Sequence, residues 1–111
     1  MSSPYIVEVS EATFSSDVLV QSKQVPVVVD FWAPWCAPCR SMAPHFDQAA
    51  AELEPAVRLA KLNTEEEQAI AARYGIRSIP TLVMFRRGEE IARQSGAMDG
   101  QALLRWVRST A

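Results

Sequence analysis

Short apolar runs alternate with longer stretches of helical spacing along this chain. Residues 27–32 are almost continuously apolar and rich in β-branched side chains, with one aspartate among them, which is typical of a buried strand. Similar signals predict four further strands at residues 5–9, 57–62, 81–85 and 90–94. The turn residues 86–89 separate the last two, so these strands are expected to form an antiparallel hairpin.

A long helix is predicted directly after the second strand. From Cys36 to about Leu53, apolar side chains recur on one helical face. Pro44 lies inside this stretch and should kink the helix by removing one backbone hydrogen bond. The sequence Glu54-Pro55 is expected to end it.

Three shorter helices complete the pattern. Their predicted positions are residues 10–19 with Ser10 as N-cap, residues 65–74 between Asn63 or Thr64 and Gly75, and a last helix capped by Asp99. A polar loop is expected at residues 21–24.

The order of these elements predicts an α/β protein with helices on both faces of a mixed sheet. The first three strands should be parallel through right-handed crossovers, and the final hairpin should run antiparallel to them. Because no repeat, linker or boundary interrupts the pattern, residues 1–111 are expected to form a single domain.

Composition narrows the possible partners. The 111 residues are 49% hydrophobic and 22% charged, with a formal net charge of −2, so no basic excess favours nucleic acid. Residues 1–4 lack the charged and apolar regions of a signal peptide, and the apolar stretches are too short to cross a bilayer. The expected location is the cytoplasm, without membrane attachment.

The only two cysteines, Cys36 and Cys39, lie three residues apart where the second strand gives way to the long helix. Positions three apart lie on one side of a helix, and unpaired N–H groups at the helix start favour a thiolate at the first cysteine. The pattern therefore indicates a redox site. The alternatives are a permanent bridge, inert core thiols, or a metal site with His45. A metal site is disfavoured because helical spacing does not bring His45 beside the cysteines.

Asp30 is the one charged residue in the predicted buried strand. An unpaired buried carboxylate is costly, so Asp30 should be protonated or partnered, and Lys61 in the third strand is the natural partner. The functional interpretation is a proton shuttle that takes the proton of Cys39 as this thiol attacks. The alternative is a structural ion pair.

Several blocks of the sequence resemble the thioredoxin family, in its order and at its spacing. They are residues 29–40 (VDFWAPWCAPCR), 60–63 (AKLN), 74–81 (YGIRSIPT), 85–89 (FRRGE) and 95–97 (SGA). The resemblance covers nearly the whole chain. It implies the thioredoxin fold, a five-stranded mixed sheet of order 1-3-2-4-5 flanked by four helices.

The resemblance also implies general reduction of protein disulfides, and thus a role in redox homeostasis. Cys36 would be the exposed nucleophile, and Cys39 the more buried thiol that resolves the mixed disulfide. Asp30 and Lys61 match the family's buried acid and its lysine. Pro38 offers the Cys36 thiolate one donor fewer and favours a reductant, whereas Ala37 departs from the glycine most familiar in the family.

A substrate surface is implied beside the cysteines. The family holds a cis proline at the position of Pro80, and Ile79 could then offer its backbone to an extended substrate segment. The residues expected to form this surface are Trp35, Ala37, Pro38, Ile79, Pro80, Gly96 and Ala97. Their mostly apolar character suits a protein that acts on many disulfides.

The family implies a monomer that holds no cofactor and receives electrons from NADPH through a flavin-containing thioredoxin reductase. Disulfide-containing proteins are its other expected partners. Two alternative functions are open at this point. A disulfide oxidase or isomerase is opposed by Pro38, and an interaction module with an incidental dithiol would keep its partner affinity when Cys36 is replaced by serine.

Overall fold

The computed structural model describes residues 3–111, so the expectation for residues 1–4 lies partly outside the described residues. Five strands form one sheet in the order β1-β3-β2-β4-β5. Their bounds are β1 Ile6–Glu8, β2 Val27–Trp32, β3 Arg58–Asn63, β4 Thr81–Arg86 and β5 Glu89–Ser95. Strands β1, β3 and β2 are parallel, whereas β4 runs antiparallel to β2 and β5 antiparallel to β4. The predicted strand order and directions are confirmed.

Helices cover both faces of the sheet. They are α1 Ala37–Leu53, α2 Gln68–Arg73 and α3 Gly100–Thr110, preceded in the chain by a π-helix at Ser15–Val20 and a 3-10 turn at Gln21–Lys23. Pro44 lies within α1, and Glu54 is the C-cap as expected; the kink at Pro44 remains a prediction. From residue 3 onward, no helix combines the length and apolarity needed to cross a bilayer.

Strand β2 lies at the centre of the sheet and divides the core into two clusters. Val28 packs among the buried side chains of α1 and α3, including Phe46 and Leu103. Val29 and Phe31 face the opposite side and pack in a cluster with Phe14 of the segment before the π-helix. Burial on both faces explains why the sequence of β2 is apolar without alternation.

The first helix differs from its prediction, because Ser10 begins a turn and is not the N-cap. The backbone N–H of Ser10 donates to Oγ1 of Thr13 at 2.9 Å, and the Ser10 carbonyl accepts from the N–H of Phe14 at 2.8 Å. The π-helix starts only at Ser15, with Phe14 as N-cap. The loop expected at residues 21–24 is largely the 3-10 turn.

Helix α2 starts three residues later than predicted. The side-chain carbonyl of Asn63 accepts from the N–H of Glu65 at 2.9 Å, which folds this segment into a turn. Glu67 then serves as N-cap in a non-helical conformation, and its carboxylate accepts from the N–H of Glu11 at 2.7 Å. The glutamates therefore precede the helix and do not form its first turn.

A buried serine fastens the β4–β5 turn to the 3-10 turn. Oγ of Ser22 accepts from the N–H of Gly88 at 2.8 Å and donates to the carbonyl of Leu19 at 2.7 Å. The Ser22 carbonyl accepts from the N–H of Arg87 and from Nη1 of Arg86. Arg86 is half-buried at this contact, whereas Arg87 is exposed.

Candidate active site

The two cysteines lie at the junction of β2 and α1, joined by a disulfide with their Cα atoms 5.3 Å apart. Cys36 is the N-cap of α1, and the backbone N–H of Cys39 points at its Sγ at 3.2 Å. The N–H of Cys36 itself donates to the Ala33 carbonyl at 3.1 Å, which closes the turn before the helix. In the reduced protein, the N–H of Cys39 and the positive end of α1 would stabilise negative charge on Cys36.

Cys36 is buried in the disulfide form, so the expectation that it is exposed is wrong for this state, and the two cysteines are buried almost equally. The exposed fractions are 4% for Cys36 and 3% for Cys39. Both pack with Ala33, and Ile79 lies against this cluster. Sγ of Cys36 lies 3.8 Å from the carbonyl oxygen of Ile79. Because a disulfide sulfur carries no proton, this is a contact in the oxidised state and becomes a possible hydrogen bond only on reduction.

The Ile79–Pro80 peptide bond is cis, as the family resemblance implies. The Pro80 carbonyl accepts from the N–H of Gly96 at 2.9 Å, which ties the segment before β4 to the end of β5. Gly96 has φ of 95°, a conformation that favours glycine. This bond places Gly96 beside Pro80, the residue that follows the Ile79 carbonyl in contact with Cys36.

Exposed side chains surround the disulfide, and Trp35 dominates them with 65% of its surface accessible. Ala37, Pro38 and Ala97 are also exposed, whereas Ile79 is half-buried. The predicted substrate residues are thus mostly at the surface; Pro80 is the exception, because it is buried.

The sequence does not single out Ile76, Arg77 or Arg40, which also lie near the cysteines. Trp35 and Ile79 line a cavity of about 190 Å³ together with Ile76 and Arg77. Nη1 of Arg40 donates to the Pro34 carbonyl at 2.9 Å and so braces the segment that carries Trp35. The sequence gives no signal for the contact of Arg40, because the Pro34 carbonyl comes within its reach only when the turn before α1 has formed.

Asp30 lies in the middle of β2 and is 1% exposed. Within the described part of the chain, its Oδ1 has no hydrogen-bond partner. Burial raises the pKa of Asp30 from 3.8 to about 7, and the nearby charge of Lys61 opposes this rise only in part. The carboxyl group therefore exchanges its proton near neutral pH, as a general base requires.

Lys61 is paired in register with Asp30 on the neighbouring strand, as expected, but no ion pair joins these two residues. Its Nζ lies over the ring of Trp32, 4.4 Å from the centroid, in a cation–π contact. Of the two expectations for Asp30, a protonated carboxyl or a partner in Lys61, the raised pKa favours the first, and Lys61 acts on Asp30 through its charge while its ammonium group packs on Trp32.

His45 lies on α1 and is half-buried, not exposed as expected. A Cβ atom at Gly100 would lie 3.5 Å from its Nδ1, so the ring packs against the start of α3. Across residues 3–111, no three histidine, cysteine or acidic side chains gather in a way that could hold a metal ion.

Thiol–disulfide exchange needs one sulfur that a donor can stabilise as a thiolate and a second sulfur within reach of it. Cys36 and Cys39 meet both needs, and a buried carboxyl that titrates near neutral pH lies in the strand before them. The arrangement defines the class of dithiol oxidoreductases.

Comparison with known proteins narrows this class. The thioredoxin family model matches residues 5–109. A thioredoxin of Pyropia yezoensis is 45% identical over 96 residues, covering 86% of this chain and 88% of the relative. Thioredoxin 1 of Synechococcus elongatus is 48% identical over 90 residues, covering 81% and 82% respectively. A chloroplastic M-type thioredoxin of Chlamydomonas reinhardtii is 44% identical over 99 residues, covering 89% and 69%.

The chain belongs to the thioredoxin family, and its cysteine pair carries out disulfide reduction. Proteins of this family act through the cysteine pair and hold no cofactor of their own.

Proposed function

We propose that this protein is a general reductant of disulfides in other proteins, working as one domain over residues 1–111. A flavin-containing thioredoxin reductase would restore its dithiol with electrons from NADPH. The observation that carries the proposal is the N–H of Cys39 held 3.2 Å from Sγ of Cys36 at the start of α1. A fixed donor at that sulfur stabilises it both as an attacking thiolate and as a leaving group.

In the first step, the Cys36 thiolate attacks one sulfur of the target disulfide. A mixed disulfide forms between Cys36 and the target, and the other target sulfur leaves as a thiolate. In the second step, Cys39 loses its proton and attacks Sγ of Cys36, which releases the second target thiolate and forms the Cys36–Cys39 disulfide. The target gains two electrons and, after protonation of both thiolates, two protons.

Asp30 is the proposed acceptor of the Cys39 proton. Its buried carboxyl has no hydrogen-bond partner on Oδ1 among residues 3–111, and its pKa of about 7 suits transfer near neutral pH. Lys61 would modulate this base through its charge. Transfer through an intervening water molecule is compatible with this role, because proton relays of this kind need no direct contact.

Substrate docking is proposed at the exposed surface around the disulfide. Trp35 would provide the largest apolar contact, since 65% of its surface is accessible. The Ile79 carbonyl, 3.8 Å from Sγ of Cys36, would pair with an extended target segment next to the reacting sulfur. Gly96 and Ala97 would leave room for the target segment because they are small. Ala37 and Pro38 would set the reduction potential of the cysteine pair.

The proposed location is the cytoplasm, where reducing thiol systems operate, and the proposed form is a monomer without nucleic acid or membrane partners. The net charge of −2 supports the exclusion of nucleic acid. Cell fractionation and light scattering test these two points, and recovery from an organelle or a stable dimer would overturn them.

The deciding experiment is the equilibrium reduction potential, followed by tryptophan fluorescence in defined thiol buffers. Values of about −270 mV for reducing relatives and roughly −180 to −120 mV for oxidising ones are established for other proteins and serve as benchmarks. A potential near the first value supports a reductant, and one in the second range overturns it. Oxidation of NADPH in the presence of a thioredoxin reductase then tests the proposed electron donor.

A further inference from the structure

Lys61 is the centre of a row of three charged side chains across the sheet. Asp30 of β2 is its register partner on one side, and Glu8 of β1 is its partner on the other. Partners in parallel strands point to the same face of a sheet, so all three side chains face the layer of α1. The row runs from a buried acid through a lysine to an exposed acid at the sheet edge.

A cavity of about 260 Å³ opens at the outer end of this row. Its lining consists of Ser3, Ile6, Glu8, Trp32, Ala43, Asp47 and Lys61. Helix α1 contributes Asp47, so a second acid faces Lys61 from above the sheet. Asp30 does not line the cavity, and Leu82 of β4, which pairs with Asp30, carries no titratable group.

Among residues 3–111, the titratable groups around Lys61 are therefore Asp30 on the inner side and Glu8 and Asp47 on the outer side. The ammonium group lies over the ring of Trp32 at 4.4 Å, beside the cavity that both outer acids also line, and makes no ion pair with Asp30. Two acids and an aromatic face in an open cavity hold a cation at lower desolvation cost than a single buried carboxylate does.

We propose that Glu8 and Asp47 are positioning residues that hold Lys61 over Trp32 and away from the carboxyl group of Asp30, so that Asp30 keeps its affinity for a proton. A lysine side chain has enough rotamers to move its ammonium group by several ångströms. Loss of an outer acid would release Lys61 towards Asp30, and the closer positive charge would favour the carboxylate.

The inference rests on the proposed function, in which Asp30 accepts the proton of Cys39. A base works best when its pKa lies near the working pH, and a lysine paired directly with Asp30 would make it too weak a base. The outer acids thus act on the resolving step although they lie outside the cysteine site.

The test is a titration of the Asp30 carboxyl carbon by NMR in the oxidised protein, where neither cysteine titrates. Asp47→Asn and Glu8→Gln are each expected to lower the pKa of Asp30 by roughly half a unit. Glu52→Gln is the matched control, because Glu52 is exposed on the same helix, lies outside the cavity and loses the same charge. Equal shifts in all three variants, or none in Asp47→Asn and Glu8→Gln, would overturn the proposal.

A double variant separates repositioning of Lys61 from direct repulsion between acids. In a Lys61→Met background, Asp47→Asn should shift the pKa of Asp30 by less than half as much as it does in the wild type. An undiminished shift would show that Asp47 acts on Asp30 directly and would overturn the role assigned to Lys61. These titrations measure no turnover. A negative result would therefore overturn the role of the outer acids and leave the proposed catalytic role of Asp30 to be tested by the kinetics of Asp30→Asn.

Discussion

The ammonium group of Lys61 lies 4.4 Å from the ring centroid of Trp32, although Lys61 is paired in register with Asp30. Asp30 thus remains in the core without a neutralising contact, and burial raises its pKa to about 7. A buried carboxyl that gains a proton on folding makes the stability of the protein depend on pH.

Asp30→Asn should remove this dependence. The folded protein binds the Asp30 proton more tightly than the unfolded chain, whose pKa is near 3.8, so the free energy of unfolding falls as pH rises from about 4 to about 7. This group accounts for at most about 4 kcal/mol of the fall, and the variant should therefore be the more stable protein at pH 8. Urea unfolding of both oxidised proteins across this range measures the difference.

The difference between the two proteins is the informative quantity, because other groups titrate in both. A difference in unfolding free energy that stays constant from pH 4 to pH 8 would contradict the raised pKa. Turnover supplies the separate test of catalysis: Asp30→Asn should slow the resolving step and flatten its pH profile near 7.

Cys39→Ser should accumulate the mixed disulfide. Without the resolving sulfur, the covalent complex between Cys36 and a target persists, and turnover should fall by more than about a thousandfold because an intramolecular attack is lost. Non-reducing electrophoresis with insulin as the target detects the complex.

Cys36→Ser is the companion to that variant. It should form no complex with insulin, because the remaining Cys39 lies within α1 and lacks the N-cap position and the fixed N–H donor that Cys36 has. A mixed disulfide of similar yield in both variants would contradict the assignment of Cys36 as the nucleophile.

Trp35→Ala should weaken the use of protein disulfides without unfolding the protein. We expect KM for a protein disulfide to rise about tenfold, equivalent to ~1.4 kcal/mol, and a small disulfide to react as before. Because Trp35 is largely exposed, the unfolding free energy should change by less than about 0.5 kcal/mol. Steady-state kinetics with both substrates measure the effect.

Ile91→Ala is the matched control for Trp35→Ala. Ile91 is 48% exposed on β5, so its truncation also removes an accessible apolar group. If both variants raised KM alike, general surface hydrophobicity and not a docking site around the disulfide would explain the effect.

Ser22→Ala should destabilise the protein while leaving its chemistry intact. The change leaves the N–H of Gly88 and the carbonyl of Leu19 without their partner inside the protein, which costs about 1–3 kcal/mol. Thermal or urea unfolding measures the loss. Ser16→Ala should cost less than about 0.5 kcal/mol, since Ser16 is exposed and makes one local bond to Thr13; an equal cost would contradict the special role of Ser22.

Local signals explain what the sequence predicts well. The start of α1 follows from Cys36 and Pro38, because an N-cap followed by a proline in the first turn is a signal confined to neighbouring residues. The sequence predicts strand β2 equally well, since burial on both faces needs a continuous apolar run. The predicted start of α2 is wrong because a side-chain turn at Asn63 competes with helix formation there.

Long-range packing explains the rest. The burial of Cys36 depends on Ile79, which lies 43 residues away along the chain. The pairing of Lys61 with Asp30 is predictable because their strands are neighbours. The contact of the Lys61 ammonium group with Trp32 and not with Asp30, however, depends on which side chains α1 and β1 bring to the same cavity. No periodicity of a single element carries that information.

Strand β5 forms one border of the sheet, and its outer backbone groups are open over Glu89–Ser95. Such a border accepts any extended segment of suitable sequence, including the same strand of a second copy. Glu89, Glu90 and Arg93 place charges along it, and Arg93 is already engaged by Glu90 and by the Tyr74 carbonyl. Charged side chains along an edge strand disfavour its pairing with a second copy, so we expect β5 to resist sheet-to-sheet association when the protein is concentrated.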